Sequence, residues 1–192
     1  MAYIGPQAQV DGSARVYGSA QVSGEARVSG EARVYGSAWV VGSAQVSGEA
    51  RVYGSAWVYR SAWVGGEARV YGEARVYGSA QVSGSAQVSG EARVGGAAVI
   101  TGCGLIERTS DYLCLGPAIS SGRMTTAHRD SEIGVRVNCG CFSGSLAEFR
   151  ERIAETHAKD TPARMQYDLF ADVIDAHFAL IDWGDEDKIE RA

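Results

Sequence analysis

The stretch Ala26-Arg27-Val28-Ser29-Gly30-Glu31-Ala32-Arg33-Val34-Tyr35-Gly36-Ser37-Ala38-Trp39-Val40-Val41-Gly42 decides the fold. It repeats every six residues as Ala-x-Val-x-Gly-(Ser/Glu), and the phase holds on both sides. The aliphatic column begins at Ile4, runs through Val10, Val16 and every sixth residue to Val94, and ends at Ile100 and Ile106. Alanine stands two residues before each aliphatic from Ala8 to Ala98. Residues two apart share one face of an extended strand, so alanine and valine form the core columns. A helix is excluded, because its 3.6-residue period would carry successive valines around the cylinder. Glycine recurs from Gly12 to Gly102, where each strand must bend, with Arg60 as the one exception. Because Arg60 carries a Cβ, positive φ is not to be assumed at every corner.

This pattern resembles the hexapeptide-repeat β-helix proteins, in which three hexads close each coil of a triangular prism. The resemblance implies a left-handed parallel β-helix of about eighteen residues per coil over residues 1–106; residues 107–192, where the hexad is lost, read as a small α+β domain. The left hand comes from the family, since ordinary parallel crossovers are right-handed.

Eighteen residues per coil would place residues i and i+18 about 4.8 Å apart. A first face then stacks Glu31, Glu49 and Glu67 beside Arg15, Arg33, Arg51 and Arg69 and beside Tyr17, Tyr35, Tyr53 and Tyr71. Repeat duplication accounts for such ladders, and adjacent acidic and basic columns are expected to neutralise one another. A second face stacks Trp39 on Trp57, with Val41, Tyr59 and Tyr77 alongside and Arg75 and Arg93 further on. The third is mostly Gln and Ser apart from Trp63. Outward indoles make an apolar patch that soluble monomers seldom leave bare. Trp39, Val41, Trp57, Tyr59, Trp63 and Tyr77 are therefore the candidate partner-binding residues. The C-terminal domain, a second copy of the chain in a homodimer or higher oligomer, or a target protein would cover them.

After Ile106 the hexad stops. Strands are expected at Tyr112 to Leu115, Met124 to Arg129 and Gly134 to Cys139. Ser145-Leu146-Ala147-Glu148 is a capping box opening a helix with Leu146, Phe149, Ile153 and His157 on one side. Thr161-Pro162 opens a second helix, whose apolar stripe is expected to be Met165, Leu169, Val173, Ile174, Phe178 and Ile181. The acidic stretch from Asp182 to Glu190 reads as a frayed, solvated end. The domain is expected to cap the prism, because exposed strand edges invite uncontrolled stacking.

Three constellations there bear on chemistry. Cys139 and Cys141, with His157, Cys103 or Cys114, suggest zinc, but the spacing is no established knuckle, and buried thiols are the plainer reading. Cys141 with His128 or His157 suggests a nucleophile and its base. Ser120, Ser121, Arg123, Thr125 and Arg129 suggest an anion or nucleotide pocket, against a polar turn leading into an ordinary strand.

The segment Cys139-Gly140-Cys141-Phe142-Ser143-Gly144, with the Phe149 helix and His157, resembles the C-terminal domain of uncharacterised phage and prophage proteins that also carry Ala-x-Val-x-Gly repeats. That resemblance implies a phage-encoded accessory protein acting in the host cytosol. It brings no catalytic residue.

Charge and residue content exclude several classes. Residues 1–100 hold eight Arg against six Glu and one Asp, a net of +1, and the remainder nets −6, so a basic nucleic-acid footprint is absent. A DNA mimic would need an acidic repeat. No histidine precedes His128, no lysine Lys159 and no threonine Thr101. Hexapeptide acyltransferases and γ-type carbonic anhydrases need a prism histidine, and ice binding needs threonine ladders, so none of these fits. No export signal or spanning segment is evident, which points to the cytoplasm and to free thiols. The expectation is a non-enzymatic binding protein without cofactor, inhibiting a bacterial defence component by protein contact. A nucleotide-signal-sequestering protein is the alternative, and a hexapeptide-type acyltransferase the more distant one.

Overall fold

The computed structural model describes residues 1–181; the acidic stretch from Asp182 to Glu190 lies outside the described residues. Hexads fold into three parallel six-stranded sheets that form the sides of a prism, and consecutive strands visit the three sides in turn. Register is a constant eighteen residues: Val34 pairs with Val52, Val46 with Val64 and Val40 with Val58. Coils are tied by amide donors such as Gln9, Trp39 and Arg51, each 2.9 Å from an alanine carbonyl oxygen of the next coil. Every core alanine and aliphatic from Ala20 to Ile106 is fully buried. Each valine buried this way contributes roughly 1.5–3 kcal/mol, and six stacked coils share one continuous apolar column.

Every corner from Gly12 to Gly102, Arg60 included, has a positive φ. Arg60 has φ 64° while its neighbours in the corner column, Gly42 and Gly78, have 77° and 73°. The Cβ of Arg60 left its corner conformation open in the sequence, and the structure resolves it: close stacking dictates the backbone, and Arg60 adopts the positive φ at a cost of about 1–2 kcal/mol. The Ser61 amide above it reaches the Gly78 carbonyl at 3.0 Å, where Ser37, Glu49 and Ser55 close the equivalent bond at 2.8 Å.

The C-terminal domain is an antiparallel sheet of β1 (Tyr112–Leu115), β2 (Thr125–Asp130), β3 (Gly134–Cys139) and β4 (Phe142–Ser145), followed by α1 (Leu146–Thr156) and α2 (Pro162–Ala179). Ser145 and Glu148 form the capping box on α1, and Thr161 caps α2 with Pro162 in its first turn. Ala127, Val137, Phe149, Ile153, Tyr167, Ala171, Ile174 and Phe178 build a second core. The stripe expected on α2 is partly wrong. Met165, Leu169 and Val173 are 60%, 62% and 46% exposed, because Tyr167 and Ala171 lead the buried side instead.

β2 caps the prism with side chains. Thr126 Oγ1, His128 Nε2 and Asp130 Oδ2 accept the amide hydrogens of Val99, Thr101 and Cys103 at 3.1, 3.2 and 3.1 Å. Those donors stand two residues apart on the last coil and have no further coil to pair with. Alternation along β2 presents its polar side chains at the same two-residue spacing, so the orphan donors are satisfied without another strand. Asn138 adds a bond to the Val99 carbonyl at 3.0 Å, and the Tyr112 hydroxyl accepts from the Gly95 amide at 3.3 Å. The opposite end is bare: Tyr3 and Ile4 are about half exposed, on one of the three terminal strands. Among the described residues no helix is long and apolar enough to cross a membrane.

Candidate functional site

The second face carries the aromatic patch. Trp39 and Trp57 pair in register and stack with centroids 4.9 Å apart and planes 2° apart. Parallel strands impose this overlap, since identical side chains on neighbouring rungs share one rotamer. Tyr59 meets Trp57 edge-on at 6.5 Å and stacks on Tyr77 at 5.3 Å, while Val41 lies in register with Tyr59. The Arg75 guanidinium lies 6.0 Å from the Trp57 centroid, at the outer limit of a cation–π contact. Trp57 is 39% exposed and the others are half-buried. None of these rings enters the core columns, so the patch offers partly exposed aromatic surface without being needed for the fold.

Trp63 does not join the patch. It belongs to the third face, donates its indole N–H to Ser47 Oγ at 3.1 Å, and folds over Gly65, where any Cβ would run into its ring.

On the first face the tyrosines stack from Tyr17 to Tyr71 at 4.9–5.0 Å. Arg15, Arg33, Arg51 and Arg69 stand in register beside them. Among the described residues no prism arginine forms an ion pair, so the neighbouring Arg and Glu columns balance in charge without direct contact.

In the C-terminal domain, Arg123, Cys139, Cys141, Phe142, Phe149, Arg152, His157 and Tyr167 line a cavity of about 630 Å³. His157 stacks on Tyr167 at 5.3 Å, and the Tyr167 hydroxyl lies 2.9 Å from Ser121 Oγ. Sequence reasoning grouped Cys139 and Cys141 with His157 and set Arg123 in a separate constellation, and folding brings all four to one cavity. The rest of the expected anion group does not converge there. Ser120 and Ser121 are exposed, while Thr125 is fully buried and donates to Cys139 Sγ at 3.3 Å. Arg129 lies four residues, about 13 Å, further along β2.

His128 cannot serve Cys141 as a base. It is fully buried in the cap, where Nε2 accepts from Thr101 and Nδ1 faces the Arg129 carbonyl at 3.0 Å, which fixes a neutral imidazole with the proton on Nδ1. Burial lowers its pKa to about 4. Burial pushes the Asp130 carboxyl up, but the Arg136 guanidinium at 2.6 Å and the amides of Glu132 and Ile133 outweigh that and hold it below the ordinary carboxylate value. The four thiols are free, and among the described residues no group of three or more His, Cys, Asp or Glu is arranged to hold a metal ion. Alternating Thr126, His128 and Asp130 on the first long strand after the last hexad was the signal of the cap that sequence reasoning missed.

Known proteins bear on the prism alone. Residues 26–42, 44–60 and 68–84 match the family model described as YdcK Beta solenoid repeat. No curated protein and no solved structure matches the chain. With the coil geometry above, the repeat match makes this a repeat β-solenoid protein closed at one end by a small α+β domain.

Proposed function

We propose that the chain is a non-enzymatic binding protein whose second prism face docks a protein partner. The observation that carries this reading is the flat stack of Trp39 on Trp57 with Tyr59 and Tyr77 beside it, set on a rigid face and dispensable to the core. Interfaces concentrate their energy in Trp, Tyr and Arg, and this face supplies all three at fixed spacing. The resemblance to phage accessory proteins points to a host defence component as the partner, met in the bacterial cytosol. The test is capture from a bacterial lysate on immobilised native protein and on W39A/W57A, followed by binding measurements with each purified candidate. A partner held equally well by both proteins would move the site off this face.

A second reading is favoured by one observation. The cavity beside α1 has the size of a small-ligand site and sets Arg123 and Arg152 near Phe142, Phe149, His157 and Tyr167, a combination suited to a nucleotide signal. Calorimetry with a panel of cyclic and linear nucleotides tests it, and R123A/R152A would abolish any uptake at that cavity.

A further inference from the structure

Two columns of opposite charge climb the first face side by side. Arg33, Arg51 and Arg69 occupy consecutive rungs in register, and the exposed Glu31, Glu49 and Glu67 stand two residues earlier in the same rungs. Arg51 alone among the six is partly covered. Within each column like charges repeat at the strand spacing, ~4.8 Å, which is unfavourable. Among the described residues neither column is relieved by an ion pair to the other. The neighbouring tyrosine rings, at 4.9–5.0 Å, leave no gap for a nucleic-acid base to enter. What fits both columns is a surface with one acidic and one basic column of the same rise and the same lateral separation, and this face is such a surface.

We propose that a second copy of the chain docks on the first face through these columns. The charge pattern selects the symmetry. A two-fold axis parallel to the prism and midway between the columns exchanges left and right and keeps height, so the Glu of each rung meets the Arg of the same rung in the other copy. A two-fold axis running along the rungs, perpendicular to the prism, would set Glu on Glu and Arg on Arg. The two prisms therefore lie parallel. The charged ladder stops at Arg69, and the next rungs carry Gln87 and Leu105. A face six rungs tall is about 24 Å high, so the contact buries less than about 1,000 Å² in total and makes a weak, reversible, salt-sensitive dimer.

Sedimentation equilibrium of the full chain over a concentration series, at low and high salt, reads this directly. Native protein is expected to populate a dimer at low salt and to lose it as salt rises. R33E/R51E/R69E and E31R/E49R/E67R are each expected to weaken self-association at least about tenfold, while an equimolar mixture of the two forms a heterodimer, because one copy then carries only acidic and the other only basic columns. W39A/W57A keeps the dimer, which separates this contact from the tryptophan face. Circular dichroism checks folding, and R51E with E49R carries the same test should a triple reversal melt the prism. A native chain that stays monomeric at low salt, a dimer indifferent to the reversals, or a mixture that does not reassociate would each overturn the proposal.

Discussion

Acid should loosen this protein at the junction between prism and cap, through one imidazole. His128 Nε2 accepts the Thr101 amide hydrogen and faces Asn138 Nδ2, each at 3.2 Å, while Asn138 Oδ1 is committed to the Thr101 hydroxyl and Nδ2 to the Val99 carbonyl. Protonation would turn Nε2 into a donor confronting two donors that cannot easily rearrange. Its folded pKa of about 4 lies below the unfolded value of 6.5, so the unfolded chain binds more protons between those limits. The stabilisation is thus complete above pH 6.5 and is lost as pH falls through the window, by about 2 kcal/mol between pH 7 and pH 5. Asp130 does not confuse the reading, since a depressed carboxylate loses its contribution only as pH falls below its ordinary range. Urea unfolding of native protein and of His128→Gln, whose amide oxygen still accepts a hydrogen bond but does not titrate, measures the difference at the two pH values. Equal losses in the two proteins would refute the cap chemistry.

Three further substitutions probe the prism. Arg60→Gly relieves a left-handed φ worth about 1–2 kcal/mol against an entropic cost of about 0.5–1, so the melting temperature should rise modestly, and a fall would show that the side chain holds the corner. Gly48→Ala does the reverse, because its Cβ would sit 3.0 Å from the Gly66 backbone N and O at φ 69°, and a loss of about 2 kcal/mol or more in chemical denaturation is expected. Val52→Asp buries an unpaired carboxylate in the column between Val34 and Val70, costing several kcal/mol, and an unchanged circular-dichroism melt would contradict the core assignment.

The prism was legible because its information is periodic. A fixed hexad phase determines inward and outward positions, and eighteen-residue closure then pairs Trp39 with Trp57 and stacks the tyrosines without further input. The helix starts at Ser145 and Thr161 were legible for a local reason, as capping side chains act within one turn. β4, with its Phe-Ser-Gly-Ser sequence, was not expected as a strand, since it forms by pairing with β3 rather than by propensity. On α2 apolar residues lie all round the helix, so periodicity could not choose between the Met165–Leu169 side and the Tyr167–Ala171 side, and packing against α1 and β1 decides it. His128 looked like a base and Thr125 like an anion ligand in sequence because burial and hydrogen-bond partners are tertiary facts. Arg60 was undecided for a different reason: its Cβ left the corner conformation open, and stacking of the neighbouring coils, which overrides residue preference, decides it.

Affinity at the second prism face bears most directly on the proposed role. With a purified partner in hand, isothermal titration of native protein and of W39A/W57A should show a loss of at least ~2 kcal/mol, about thirtyfold in Kd, with the prism melting temperature unchanged. Undiminished affinity in the double variant would contradict the assignment of the Trp39–Trp57 stack as the docking surface.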